Sequence, residues 1–180
     1  DKASEVPNKI TLPVGNYFAE AHTPGELQKI MTTPYYKGRD DFEILQGINT
    51  KSTVTCKMAN GSFKVKYSDE FASAFATWTI SIDDGTESVI QFTNEDGLTP
   101  ATIYMTFEEN VNFLTTNFKG TTTSGSKIST SNKLTKKQAS EQYDNDDEYF
   151  SGGDAIVINF SPVESTEGDI TGITLNANIS

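Results

Sequence analysis

Bulky apolar residues return at every second position in stretch after stretch of this chain, and no other feature restricts its fold as strongly. Phe63, Val65 and Tyr67 alternate with Lys64, Lys66 and Ser68. A period of two places neighbouring side chains on opposite faces of an extended strand, whereas an amphipathic helix needs apolar residues three and four apart. The same alternation runs through Trp78, Ile80 and Ile82, through Ile90 and Phe92, and through Ile103, Met105 and Phe107. It returns in Ile156, Ile158 and Phe160 and again in Ile173, Leu175, Ala177 and Ile179. Each run predicts a half-buried strand, so the fold class expected is all-β, with stacked sheets closing a core.

Turn chemistry falls between these runs. Asp83-Asp84-Gly85 reads as a hairpin connection, Asn94-Glu95-Asp96-Gly97 with Pro100 closes the next strand, and Asn60-Gly61 marks a turn or bulge. Short helices are expected at Phe71 to Phe75 after Ser68-Asp69-Glu70, at Thr135 to Tyr143 with Thr135 as cap, and at Thr23 to Met31. The amino-terminal part has strands around Ile10 and Leu12, then Tyr17, Ala19 and Ala21, then Phe42 and Ile44, then Val54, Cys56 and Met58. Tyr35 and Tyr36 are expected to point one ring inward and one outward. Four strands make a thin sandwich, which divides the chain into a partial amino-terminal domain, 1–58, and a fuller sandwich, 59–180. Residues 120–154, rich in Thr, Ser, Gly and acidic groups, read as one long surface loop.

Charge removes some function classes. A formal net charge of -11, with Lys136 and Lys137 as the only adjacent basic pair, argues against a nucleic-acid partner, because polyphosphate binding needs a basic face. Anionic membrane surfaces are repelled for the same reason. No apolar run approaches the roughly 18 residues needed to span a bilayer. Cys56 is the single cysteine, so an intramolecular disulfide is impossible.

Reactive chemistry finds little to work with. His22 is the only histidine and stands at a strand end before Thr23-Pro24-Gly25, where a solvated side chain is expected. Cys56, alternating with Val54 and Met58, reads as a buried, inert thiol. The best metal candidates are Asp144, Asp146, Asp147 and Glu148, whose alternating oxygens would suit calcium but which lack the glycine and distant glutamate of an EF-hand loop. Tyr143, Tyr149 and Phe150 flank that cluster and are the candidate ligand-contacting aromatics. No phosphate-binding glycine loop occurs, no cofactor is expected, and the reading is non-catalytic.

The run from Pro7 to Tyr17 (PNKITLPVGNY), Ala21-His22, Pro34-Tyr35-Tyr36-Lys37-Gly38, Phe42 with Gly47, Val54 to Asn60, and Tyr67-Ser68-Asp69 with Phe71 resembles an uncharacterised domain family of Bacteroides-type surface lipoproteins related to the fimbrillin-like adhesins. The resemblance covers roughly the first 75 residues. It implies two transthyretin-like, Greek-key β-sandwich domains in tandem, the first incomplete at its amino end, and a lipid anchor on a cysteine upstream of Asp1. It further implies an exported protein of the cell surface, held in the outer membrane or in a fimbrium and acting in adhesion or as a pilus-associated subunit. Partners would be other pilus subunits, or a host or cell-surface protein or glycan. The alternative reading is a carbohydrate-binding accessory lipoprotein of a polysaccharide-uptake system.

Overall fold

The computed structural model describes residues 7, 9–139 and 148–180. Its chain divides into a smaller unit, Asp1–Pro24 with Tyr36–Lys57, and a larger one, Gly25–Tyr35 with Met58–Ser180. The fold is all-β, as the two-residue period requires.

In the larger unit the strands are β2 (Ile30–Met31), β5 (Gly61–Tyr67), β6 (Phe75–Asp83), β7 (Val89–Thr93), β8 (Ile103–Met105), β9 (Phe113–Thr122), β10 (Lys127–Thr135), β11 (Ala155–Glu164) and β12 (Ile170–Ile179). Two short helices, α1 (Phe71–Ala74) and α2 (Lys136–Ala139), interrupt them. One sheet has the order β10-β9-β6-β7 and the other β12-β11-β5-β8-β2. β11 runs parallel to β5, with Ile158 opposite Val65, while the other pairings of these two sheets are antiparallel.

Alternation builds the core. Phe63 and Val65 of β5, Ile80 and Ile82 of β6, Phe92 of β7, Phe118 of β9 and Ile158 and Phe160 of β11 are all at most 2% exposed. An aromatic cluster fills the centre: Phe71 meets Trp78 edge-on at 5.2 Å, and Phe118 meets Phe75 at 5.0 Å. Such tilted pairs set ring edges against ring faces and add to the stabilisation from burial. The Trp78 indole Nε1 donates to the Tyr67 hydroxyl at 3.2 Å, so neither polar tip is buried without a partner. Burial also raises the Tyr67 phenol pKa.

Two expectations fail here. Residues 120–154 are not one loop, because β10 pairs with β9 over nine residues, from Lys127–Thr121 to Thr135–Phe113. Its Ser and Lys residues lie on the outer face, and Thr130 and Asn132 interrupt the apolar period that Ile128 and Leu134 carry on the inner one. Thr23 to Met31 forms no helix either. Residues 25–35 belong with the larger unit, where Ile30–Met31 pairs with Tyr104–Met105 and the Tyr35 amide donates to Asn60 Oδ1 at 3.1 Å. Tyr35 is buried and Tyr36 exposed, as their adjacency on an extended chain predicts.

Lys29 anchors the same excursion by an ion pair of 2.6 Å to Asp84. Burial on its own would raise the Asp84 pKa, but hydrogen bonds from Lys29 and Thr86 outweigh it and hold the carboxyl below the ordinary range. The unfolded chain therefore binds that proton more tightly than the folded one. The stabilisation is present above the ordinary carboxylate pKa and is lost as pH falls through the depressed one. Asp84→Asn should be less stable than wild type near neutrality, with the gap closing below about pH 4 in urea melts at stepped pH. A gap of constant size down to strong acid would contradict this.

In the smaller unit, β1 (Gly15–His22) and β3 (Tyr36–Ile44) form an antiparallel ribbon, and β4 (Lys57–Met58) is the third strand of its sheet. Tyr17 stacks on Phe42 at 6.2 Å on one face. On the other, Phe18 stays 55% exposed, with the Arg39 guanidinium 4.0 Å above its ring. Among the described residues this unit holds one sheet, not a two-layered partial sandwich. Ile10 and Leu12 form no strand, and Val54 and Cys56 precede β4 without regular structure. Cys56 is accordingly exposed, not buried, with its thiol 3.6 Å from the Ala21 carbonyl. The stretch from Thr50 to Thr53 instead bonds back to β3, through Thr50 Oγ1 to the Glu43 carbonyl and Ser52 Oγ to Asp40.

Candidate functional site

An open groove of about 420 Å³ lies on the four-stranded sheet. The sheet's own registers create it. Trp78, Gly120 and Ile128 form one cross-strand row whose side-chain positions face the core, so this row gives the groove its backbone floor. A Cβ on Gly120 would come within 2.7 Å of the Phe118 ring and 3.0 Å of Phe75, so core packing requires the glycine. Beside it β6 shifts register between Phe75 and Thr77, a bulge that re-aims the strand. Two further rows complete the lining: Thr77, Thr121 and Lys127, and Thr79, Lys119 and Ser129. Asn94 closes one end, its Oδ1 accepting from the Trp78 amide at 3.4 Å.

The outward-facing positions of this sheet carry more ammonium groups than carboxylates. On β9 they are Phe113, Thr115, Asn117, Lys119 and Thr121, and their β10 partners are Thr135, Lys133, Ser131, Ser129 and Lys127. β6 adds Thr77, Thr79, Ser81 and Asp83, and β7 adds Val89, Gln91 and Thr93. Asp83 is the one carboxylate among these strand positions, against three lysines. Lys133 is held over the Phe113 ring at 3.7 Å. Lys119 and Lys127 sit on neighbouring strands, diagonal across one register step, about 7–8 Å apart. Neither has an ion-pair partner among the described residues. The groove thus presents hydroxyl and ammonium groups from three paired strands, with the Asn94 amide beside them.

The residues singled out by sequence are elsewhere. Tyr143, Asp144, Asp146 and Asp147 lie outside the described residues. Glu148 is exposed, and among the described residues no group of three His, Cys, Asp or Glu side chains gathers for a metal. Tyr149 is 42% exposed, but Phe150 is a core residue, 3% exposed and 5.5 Å from Phe107. Packing, not ligand contact, fixes Phe150. Its neighbourhood is pinned by Lys136, whose Nζ donates to the Tyr149 carbonyl at 2.8 Å and pairs with Asp154 at 3.1 Å. His22 stands exposed at the end of β1, its Nδ1 2.8 Å from the Thr23 carbonyl. Sequence reasoning missed the groove because its lysines are eight residues apart on two strands, one of which read as loop.

The sequence profile of a domain of unknown function, DUF4493, matches residues 1–180. The chain belongs to the DUF4493 family. No curated protein matches it. Among solved structures, this DUF4493 chain is similar to the 1.67 Å crystal structure of a "putative cell adhesion protein" from Bacteroides uniformis ATCC 8492. The two share 10% identity at a TM-score of 0.47, over 93% of this chain and 73% of that one. None of the described helices of this DUF4493 chain is long and apolar enough to cross a membrane.

Proposed function

We propose that this chain is a non-catalytic binding protein of the bacterial cell surface that works in adhesion, gripping its target through the groove on β6, β9 and β10. One observation carries the reading. The groove is lined by polar side chains from three hydrogen-bonded strands over an aromatic core, and sites on paired strands hold their geometry better than sites on loops. Non-covalent retention needs that rigidity, since little entropy is then lost on binding.

The motif run between Pro7 and Phe71, similar to the fimbrillin-like lipoproteins, supports a finer version. In it the chain is exported, lipid-anchored from an upstream cysteine in the outer membrane or carried in a fimbrium, and joined to other pilus subunits. Beads coated with the protein test the adhesive reading on bacterial and host cells under washing. Wild-type beads should be retained, and beads carrying Thr79→Trp, which fills the groove, should be released. Equal retention of both would remove the groove from the account.

A further inference from the structure

We infer that the ligand of this groove is an anionic glycan, an inference that rests on the adhesive reading of the same site and adds its chemical class. Charge is the first ground. In a chain with 25 acidic and 14 basic residues, the groove lining holds Lys119 and Lys127, at diagonal positions of neighbouring strands, and no acidic residue. Bringing two ammonium groups together is unfavourable unless an anion bridges them or water screens them. A carboxylate or sulfate seated between them accepts from both, and charge-assisted bonds of this type are about twice as strong as neutral ones.

Hydroxyl chemistry is the second ground. Thr77, Thr79, Thr121 and Ser129 can each donate and accept, as can the Asn94 amide, and a sugar ring presents the same mixed character along its edge. An acidic peptide offers carboxylates without that run of hydroxyls. A nucleic acid needs a larger basic field than an overall charge of -11 supplies. Shape agrees, since the groove is open to solvent on the sheet face. Further along the same outer face, Lys133, seated over the Phe113 ring, adds a third cation.

The test is calorimetric titration of the intact chain with an oligogalacturonide, with a sulfated dextran, and with an uncharged galactan of equal length. Binding to one or both acidic polymers is expected, weakening as salt rises. The carboxylated and sulfated arms tell which acid is read. Lys119→Gln and Lys127→Gln should each cost about tenfold in affinity, a loss of one charge-assisted contact. Lys64→Gln, the same change in net charge on β5 of the other sheet, should leave affinity unchanged. Circular dichroism melts of each variant show that folding is retained.

Galactan binding that Thr79→Trp abolishes and the lysine changes spare would overturn the anionic class and leave the groove standing. Binding of the acidic polymers that Thr79→Trp spares would overturn the groove itself. Polyglutamate or duplex DNA binding as tightly as the acidic glycans would overturn the glycan assignment, and failure of all three polysaccharides would overturn it too.

Discussion

Phe118→Ala is expected to destabilise the larger unit by about 3–5 kcal/mol, the cost of emptying a fully buried aromatic site. Phe118 has no exposed surface, and its ring contacts Phe75 at 5.0 Å, Phe71 at 6.1 Å and Phe160 at 6.5 Å. Those neighbours come from β6, α1 and β11, so the ring ties both sheets together. Neither sheet can shift into the void without breaking strand pairing, which is why little relaxation is expected. Removal also takes away the ring against which Gly120 is packed, so the groove should lose shape with the core. Urea unfolding followed by tryptophan emission reads this directly, because Trp78 belongs to the same cluster. The comparison is Val163→Ala, 38% exposed near the end of β11, which should stay within about 0.5 kcal/mol of wild type. Similar midpoints for the two variants would contradict the core described above.

Lys136→Met is expected to cost about as much, roughly 3–5 kcal/mol, for an electrostatic reason. Lys136 is 1% exposed, and Asp154, its ion-pair partner, is 7% exposed. With the ammonium gone, the Asp154 carboxylate would remain buried, still accepting from the Ser151 amide at 2.8 Å. The Tyr149 carbonyl would lose its bond from Lys136 as well. Adding Asp154→Asn to Lys136→Met removes the stranded charge and keeps an acceptor for Ser151. The double variant should therefore be more stable than Lys136→Met alone. Additive losses, with the double variant the least stable, would show that the pair is not coupled.

How much of this was legible depended on what occupied the outer faces. Strands whose alternate residues were plainly apolar, such as Phe63-Val65-Tyr67 and Ile156-Ile158-Phe160, could be read because inward and outward positions differ sharply. β10 could not be, since its outer Lys127, Ser129, Ser131 and Lys133 resemble a solvated linker and its inner Thr130 and Asn132 are polar too. Cys56 was misread for the opposite reason. It alternates with Val54 and Met58, yet those residues precede a two-residue strand and gain no sheet to bury them. Phe150, one side chain of an aromatic trio in the sequence, became core because its amide bonds the Val111 carbonyl at 2.7 Å and draws the ring inward. The groove was invisible for a structural reason. Its two lysines and its hydroxyls meet only through the β6-β9-β10 registers, and no spacing along the chain encodes that meeting.

The central claim is that the outer face of β6, β9 and β10 is the binding surface. Amide chemical-shift mapping of isotopically labelled protein, titrated with the oligogalacturonide, tests it most directly. Perturbations should centre on Thr79, Lys119, Gly120 and Ser129, with β5 and β12 unmoved. Shifts clustered on the smaller unit, around Phe18 and Arg39, or on Tyr149, would contradict it.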